Sequence, residues 1–430
     1  MLVKFEKIYN EKVNETLYYA KHESGLTVYA MPKEGFSKSY AVFGTKFGSI
    51  DSKFKLKNEA EFYEVPDGVA HFLEHKMFEQ PDGGNVFESY ARHGANANAY
   101  TSFNLTAYLF EATSDLYDNL EILLSFVQEP YFTKENVDKE QGIIGQEIGM
   151  YDDDASWRVM MNFLSSMFSA HPVRKDIAGD VASISKIDKD VLYKCYNTFY
   201  NLSNMALFVI GDLDIEKIAE CVEKNAKKTE PLGEIVRDYG NEPKEVLKDT
   251  VKQKLSVSVP MFMFGFKDVN CGFDGKELLK KSLITSIGAN IVFGKSGELS
   301  NKLYNEGYIL GDLDVEVESE KDYGFTVLSG ESNDPEKVRE VILKNLEVIR
   351  KNGVSIDDFD RTKKAFYGKY IRQFDSISSV SHSFMSNCFN NIGIFDFLDV
   401  IDEITIDDVN NRIREHFVGD FSVLSVIEPV

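Results

Sequence analysis

Two histidines and a glutamate stand close together in the segment His71-Phe72-Leu73-Glu74-His75. If this segment is helical, the two imidazoles lie one turn apart on the same face, because side chains at i and i+4 project together. Neutral imidazoles suit Zn²⁺, and a catalytic zinc site uses three protein ligands and leaves one position open for water. The carboxylate of Glu74 would lie beside that position and could activate the attacking water. The motif therefore predicts zinc-dependent hydrolysis.

The third metal ligand has to come from another segment. The helix predicted over 133–152 offers Glu140 and Glu147, which are seven residues apart and therefore about two turns apart on one face. We expect Glu147 to bind the metal and Glu140 to orient a ligand by a hydrogen bond, as supporting carboxylates commonly do. Glu140 itself and the acidic run 152–154 remain alternatives for the third ligand.

Other interpretations of these residues are possible. Two histidines on a helix can be ordinary surface residues, and a carboxylate nearby can be a helix-stabilising partner. Zinc storage would explain the ligands but not Glu74 between them. The five remaining histidines stand alone, as surface or packed residues commonly do: His22, His93, His171, His382 and His416. No glycine-rich phosphate loop follows a predicted strand, so nucleotide chemistry is not indicated.

Composition and charge exclude several classes of function. The 430 residues are 43% hydrophobic and 27% charged, which is typical of a globular protein of more than one domain. A net charge of -22 disfavours binding to nucleic acid or anionic lipid. No apolar run reaches membrane-spanning length, and the N-terminus does not resemble a secretory signal. The dispersed cysteines suggest neither disulfides nor a thiolate site, so we expect a cytoplasmic protein without nucleic-acid or membrane partners.

Alternating strands and helices surround the motif. The histidines lie on a helix predicted over 67–79 with Asp67 as its cap, and the next helix, NVFESYARHG, ends at Gly94. Apolar periodicity predicts strands over 26–31, 40–48, 96–101, 105–112 and 205–211, and further helices over 114–128, 133–152 and 188–199.

This order of elements recurs about 220 residues later, which is typical of repeated modules. Strand 323–331 and the helical stretch 334–366 repeat the layout of 105–112 and the helices after it. The ending repeats as well, since 404–429 corresponds to 187–212. We therefore predict that the chain consists of two related halves.

A polar stretch containing Pro and Gly, residues 231–246, is predicted to link the halves. The division gives an N-terminal catalytic zinc-binding module, 1–230, and a C-terminal homologous module without metal, 247–430. Runs of strands interspersed with long helices indicate an α+β fold. We expect each module to be a mainly antiparallel sheet with helices packed on one face.

Three segments resemble the insulinase/pitrilysin metallopeptidases, or inverzincins, which also include mitochondrial processing peptidase. They are GVAHFLEHKMF (68–78), GANANAYTSFNLTAYLFE (94–111) and EQGIIGQEIGMYDDD (140–154). The resemblance spans nearly the whole chain, and its size is similar to that of the short bacterial members, in particular cytosolic ones of low-GC Gram-positive bacteria. It implies the processing-peptidase fold of two related modules.

The resemblance also assigns roles to residues. It implies His71 and His75 as zinc ligands, Glu74 as the general base, Glu147 as the distal ligand and Glu140 as the supporting glutamate.

The resemblance further implies a site for the substrate backbone. Asn98, Ala99 and Tyr100, followed by Thr101, match the family's edge strand, on which a peptide pairs as an added strand. An ordinary core strand is the alternative. Because an edge strand recognises backbone amides more than side chains, broad sequence tolerance would follow.

The second half departs from the family in one segment. Members usually carry an Arg and a Tyr there that help bind substrate and polarise the scissile carbonyl. Residues 302–308 read KLYNEGY, so Tyr304 stands where Arg is expected, whereas Tyr308 matches the catalytic Tyr. The missing Arg leaves room for a partner chain to contribute to transition-state stabilisation.

The resemblance implies a closed chamber of four modules, of which this chain supplies two. We therefore expect a homodimer or a heterodimer with a related subunit. The expected function is a zinc metalloendopeptidase that hydrolyses peptides or unfolded segments inside that chamber. The alternative is a non-catalytic or partner-dependent subunit of a heterodimeric peptidase-like assembly, which the altered Tyr304 segment favours.

Overall fold

The computed structural model describes residues 3–81 and 83–430. The strands are β1 (Glu6–Asn10), β2 (Glu15–Lys21), β3 (Thr27–Pro32), β4 (Ser39–Thr45), β5 (Lys53–Leu56), β6 (Tyr63–Glu64), β7 (Ala95–Thr101), β8 (Thr106–Ala112), β9 (Met205–Gly211), β10 (Ile235–Arg237), β11 (Thr250–Leu255), β12 (Met261–Lys267), β13 (Asp314–Ser319), β14 (Gly324–Glu331) and β15 (Ser422–Pro429). The helices are α1 (Val69–Lys76), α2 (Val86–Arg92), α3 (Leu116–Val127), α4 (Lys134–Asp153), α5 (Ala155–Met167), α6 (Val181–Ile184), α7 (Lys189–Phe199), α8 (Ile215–Asn225), α9 (Gly275–Phe293), α10 (Glu298–Asn305), α11 (Pro335–Asn352), α12 (Ile356–Gln373), α13 (Ile377–Cys388), α14 (Asp396–Glu403) and α15 (Ile406–His416). Within the described residues, none of these helices combines the length and the apolar composition that crossing a bilayer requires.

A seven-stranded sheet holds the first half of the chain together, in the order β1-β2-β3-β9-β4-β8-β7. Every neighbouring pair is antiparallel except β3 and β9, which run parallel. The apolar sequences of β4 and β9 place these strands in the middle, where nearly all of their residues are buried. Strand β7 ends the sheet, so one of its edges has no strand partner within the described residues.

The second half repeats this arrangement in a five-stranded sheet, ordered β11-β15-β12-β14-β13. Its single parallel pair, β11 and β15, corresponds to β3 and β9, and its antiparallel pairs follow in the same order as β9-β4-β8-β7. The two long helices α11 and α12 follow β14 as α3 and α4 follow β8. The predicted α+β fold of two related halves is thereby confirmed.

The chain forms two compact units that do not follow a single cut in the sequence. The first unit consists of Met1–Ile148, Asp176–Asp238 and Arg372–Phe389, and the second of Gly149–Lys175, Tyr239–Ile371 and Asn390–Val430. One of the points at which the chain passes from the first unit to the second, between Asp238 and Tyr239, lies inside the predicted linker 231–246. The contiguous modules 1–230 and 247–430 remain a prediction about homologous regions, whereas the compact units exchange two segments.

Helix packing explains the exchange. Helix α13, from the second half of the sequence, packs on β4 and β9 of the first unit, where Phe384 contacts Phe208 with ring centroids 4.7 Å apart. Helix α5, from the first half, packs on β12 and β15 of the second unit, where the ring of Phe163 lies 5.9 Å from that of Phe325. In the first unit α3 also packs on β4, so the central strands are buried on both faces.

The helix that carries the histidines begins later than predicted. Asp67 is not its cap; Gly68 takes that position, with φ 89° and no side-chain cap hydrogen bond, and α1 starts at Val69. A β-carbon at Gly68 would lie 2.3 Å from the carbonyl oxygen of Ala178, so both the backbone angle and the space require glycine.

Replacing Gly68 by Ala is expected to lower the free energy of unfolding by more than about 1 kcal/mol, because Ala is strained at this φ and its methyl group overlaps backbone. Chemical denaturation would measure the loss. Gly35→Ala is the matched control, since Gly35 has φ 78° but open space around its β-carbon position. Equal losses in the two variants would contradict the steric part of this explanation.

Candidate metal centre

Helix α1 presents two imidazoles on one face. The rings of His71 and His75 lie one turn apart, with centroids 4.5 Å from each other. His71 is buried and His75 is partly exposed. Both rings direct Nε2 towards the same carboxylate on α4. The i and i+4 spacing in the sequence therefore produces the convergence that a metal would need.

That carboxylate belongs to Glu147. Its two oxygens lie 3.6 Å from Nε2 of His71 and 3.6 Å from Nε2 of His75, slightly beyond hydrogen-bond distance. One ligand atom from each of the three residues lies within 4.8 Å of the other two. Tetrahedral zinc with bonds of about 2.0–2.1 Å separates its donor atoms by roughly 3.3 Å, so the spacing and the donor types fit this ion. Asp154, one of the alternatives for the third ligand, instead caps helix α5.

Glu140 lies behind His75, as a supporting group would. Its Oε1 is 3.1 Å from Nδ1 of His75, and its Oε2 is 3.4 Å from Nζ of Lys76. Burial alone would raise the pKa of Glu140, but the hydrogen bonds and charges of His75 and Lys76 outweigh burial, and the pKa is lowered. The ionised carboxylate can hold the Nδ1 hydrogen and leave Nε2 as the free donor atom.

Lys76 is a residue that the sequence reasoning missed. Its side chain is completely buried, and its Nζ also lies 2.8 Å from Oε2 of Glu79. The sequence does carry a signal for it, because Lys76 directly follows His75 and interrupts an apolar helix face. A lysine buried on such a face needs carboxylate partners for its ammonium group. Because Lys76 holds Oε2 of Glu140, the other oxygen, Oε1, is the one that faces His75.

Glu74 lies in the same buried environment. Its Oε2 accepts a hydrogen bond of 2.6 Å from the hydroxyl of Thr101 on β7. Burial raises the pKa of Glu74, the Thr101 hydroxyl and the nearby His75 oppose this effect, and the net shift is upward. A carboxylate with a raised pKa is a better proton acceptor at neutral pH than an exposed one.

The pKa values of the two histidines are shifted in opposite directions. Burial and the proximity of His75 lower the pKa of His71 to about 4. Burial would lower the pKa of His75 as well, but the hydrogen bond to Glu140 and the charges of Glu74, Glu147 and Glu140 raise it overall. At neutral pH His71 is therefore neutral and able to bind a metal. His75 is the histidine at which a proton competes with the metal.

Zinc affinity is therefore expected to fall about tenfold per pH unit on acidification from about pH 6 to 5, since binding displaces one proton from His75. The dependence should steepen only near the pKa of His71, about 4. Competition with a chelator of known affinity across this range measures the slope. A slope of two protons throughout would contradict the assignment of the low pKa to His71.

The predicted substrate residues lie on β7, the edge strand. Asn98 is exposed, and Ala99 and Tyr100 are partly exposed. The backbone N–H of Ala99 donates to the side chain of Asn98 at 2.9 Å. The ring of Tyr100 lies 5.4 Å from that of His382, a contact that no local signal in the sequence indicated, because α13 joins this unit from the second half of the chain.

A cavity of about 700 Å³ adjoins both His75 and the edge strand. Its lining includes Glu74, His75 and Glu140 from the metal site, and Asn98 and Ala99 from β7. The lining also includes aromatic and charged side chains: Phe78, Phe87, Tyr131, Glu79, Glu135 and Lys139. The open side of the metal site is thus large enough to receive amino-acid side chains.

Tyr308 lies in the second unit, in the turn that follows α10. Its side chain is partly buried against the apolar core of that unit, and its carbonyl accepts a hydrogen bond from the hydroxyl of Ser332. The side chain of Tyr304, at the position where Arg is expected, is exposed. The catalytic role of Tyr308 remains a prediction.

A second group of possible ligands, His22, Glu23 and Glu223, fits a metal less well. Nδ1 of His22 accepts a hydrogen bond from the backbone N–H of Ser24 at 3.2 Å. The neutral ring then carries its hydrogen on Nε2, the atom that faces Glu223. Glu23 is paired with Lys228 at 2.9 Å. This group is better explained as a structural contact, in which His22 is bonded to Ser24 and Glu23 is paired with Lys228.

Comparison with known proteins places the chain in a family. The sequence profile described as Insulinase (Peptidase family M16) matches residues 61–181, and the profile described as Peptidase M16 inactive domain matches residues 186–366. The uncharacterized zinc protease YmfH of Bacillus subtilis (strain 168) is 41% identical over 425 residues, which are 97% of this chain and 98% of that protein.

Solved structures agree with the sequence match. The crystal structure of an M16-like peptidase from Alicyclobacillus acidocaldarius has a TM-score of 0.91 and 32% identity, covering 100% of this chain and 99% of that one. A protease from Helicobacter pylori, at 20% identity and a TM-score of 0.79 over 100% of both chains, shares the fold.

These findings confirm the resemblance stated from the sequence. The expected cofactor, Zn²⁺, is confirmed at the level of the family, since relatives from Bacillus subtilis, Rickettsia felis and Helicobacter pylori are named zinc proteases. The matched profiles cover both halves of the chain, including the metal-site motif. The chain therefore belongs to the insulinase family of peptidases, family M16.

Proposed function

We propose that this protein is a zinc-dependent metalloendopeptidase that hydrolyses peptides or unfolded segments. The observation that carries the proposal is the convergence of His71, His75 and Glu147 at distances that fit zinc, with Glu74 beside them. Three protein ligands leave one position open, which is the arrangement of catalytic and not of structural zinc sites. Glu74, which is not needed as a ligand, favours hydrolysis over metal storage.

The residues of this chain have separate tasks in the proposed reaction. Zinc, when bound, lowers the pKa of water and polarises the scissile carbonyl. Glu74 accepts a proton from the attacking water and returns it to the leaving amine. Glu140 keeps His75 oriented through Nδ1, so that Nε2 is available to the metal. Glu74 is buried, and it lines the cavity beside the metal site.

The substrate is proposed to bind as an added strand along β7. Asn98, Ala99 and Tyr100 would contact the peptide backbone, because the outer edge of β7 has no strand partner within the described residues. The cavity next to the metal site would receive side chains close to the scissile bond. Recognition through backbone amides supports a broad range of sequences.

A dimer, with this chain or with a related subunit, is part of the proposal. Two modules would form half of the closed chamber that the family resemblance implies, and Tyr308 would contribute from the second half of the chain. The alternative is a partner-dependent or non-catalytic subunit. It is favoured by Tyr304 at the expected Arg position and by the match of residues 186–366 to the profile described as inactive domain.

Elemental analysis and a digest test the proposal together. The purified protein is expected to contain close to one zinc per chain and to cleave unstructured peptides at many sites, which mass spectrometry would map. Size-exclusion chromatography with light scattering would determine whether the active species is a dimer. Stoichiometric zinc without cleavage by any oligomeric form would reject the peptidase and favour the alternative.

A further inference from the structure

The hydroxyl of Thr101 connects the edge strand with the base. Thr101 is the last residue of β7 and directly follows the three residues proposed to bind the peptide. Its Oγ1 donates to Oε2 of Glu74 at 2.6 Å, the hydrogen bond that joins these two elements at the site. The second carboxylate oxygen, Oε1, has no protein partner in the part of the chain that the structure describes.

Neighbouring groups determine the direction of this hydrogen bond. The hydroxyl of Thr106, 3.4 Å from that of Thr101, donates its single hydrogen to the carbonyl of Phe47 at 2.8 Å. The hydrogen of Thr101 therefore has two possible acceptors, and the carboxylate is both nearer and charged. Thr101 is thus a donor to Glu74, anchored on the rigid ladder between β7 and β8.

We propose that Thr101 is a positioning residue that holds Oε2 of Glu74 and thereby aims Oε1 at the attacking water. This inference rests on the proposed function, because it assigns a task to a residue of the same site. A carboxylate held by one hydrogen bond loses the rotation that would otherwise misalign its free oxygen, and such orientation contributes to rate without contributing to binding. Since Thr101 continues the strand on which the peptide would pair, the same strand aligns both substrate and base.

Three variants test this role. Thr101→Val keeps the shape of the side chain but removes the donor, Thr101→Ser keeps the donor, and Thr198→Val is the control. Thr198 is a buried threonine of α7 whose hydroxyl donates to the carbonyl of Lys194 in the same helix. Zinc content, kcat and KM on a quenched fluorescent peptide, and crystal structures of the zinc-loaded proteins would be compared with wild type.

Thr101→Val is expected to reduce kcat by about tenfold to a hundredfold, with KM and zinc content unchanged, in line with the loss of a supporting group. Thr101→Ser should restore kcat to within about threefold of wild type, and Thr198→Val should leave it unchanged. Unaltered kcat in Thr101→Val, or an equal loss in Thr101→Ser, would overturn the proposal.

The crystal structures separate this inference from the proposed function. In Thr101→Val the carboxylate of Glu74 should rotate or occupy more than one position, whereas in Thr101→Ser it should remain single. If the wild-type protein cleaves no peptide, the proposed function fails. The position of the Glu74 carboxylate in the crystal structures then decides by itself whether Thr101 is a positioning residue. A carboxylate that stays in place without its donor would reject the positioning role.

Discussion

Replacing Glu74 by Gln is expected to reduce kcat for peptide hydrolysis by about 10²- to 10⁴-fold while zinc remains bound, the range by which general acid–base groups typically contribute. The amide has the same size and can still accept from Thr101, but it cannot take a proton from water. The metal ligands His71, His75 and Glu147 are untouched. Steady-state kinetics on a quenched peptide, with elemental analysis of the same sample, measures both parts.

Glu135→Gln is the matched control for this change. Glu135 is an exposed carboxylate that lines the same cavity, and its replacement alters the charge by the same amount. Its kcat should stay close to that of wild type, since the side chain is not hydrogen-bonded to a metal ligand. Full activity in the Glu74→Gln protein would rule out Glu74 as the base, whichever metal is present.

The second large effect is expected on zinc affinity. His71→Ala removes one of three protein ligands, and affinity should fall by more than about a hundredfold, because the loss of a supporting residue alone typically costs about 10- to 100-fold. Glu147→Gln should have an effect as large as that of His71→Ala. Glu140→Gln should fall within the smaller range, since Glu140 contacts His75 and not the position of the metal.

Competition with a fluorescent chelator would rank these variants. His93→Ala is the control, as His93 follows α2, its ring nitrogen Nδ1 lies 3.8 Å from a carboxylate oxygen of Asp115, and it is not one of the proposed ligands. Its zinc affinity should equal that of wild type. If Glu140→Gln weakened zinc more than Glu147→Gln, the roles of ligand and supporting group would have to be exchanged.

Local periodicity was sufficient to predict much of the site. The i and i+4 spacing of His71 and His75 depends only on helical geometry, and the seven-residue spacing of Glu140 and Glu147 on the same rule. The repeated order of elements predicted two related sheets. These features could be inferred because each depends on residues close together in the sequence or on a pattern that occurs twice.

Features that depend on distant contacts could not be predicted in this way. The start of α1 at Val69 reflects the approach of Ala178 to Gly68, which no local signal reports. The hydrogen bond from Thr101 to Glu74 joins a strand to a helix 27 positions away. The exchange of α5 and α13 follows from which apolar surfaces each helix covers, and amphipathic periodicity indicates that a helix has a partner but not which one.

The exchanged helices determine how the protein would respond to a break in the chain. A cut within 231–246 would produce two fragments. The N-terminal fragment would carry α5 without the strands β12 and β15 that it covers, and the C-terminal fragment would carry α13 without the strands β4 and β9 that it covers. Each fragment made alone would leave an apolar sheet face in contact with water, which favours aggregation. Mixed together, each fragment holds the piece that completes the other, so reassembly, and not independent folding, is the behaviour that this connectivity favours.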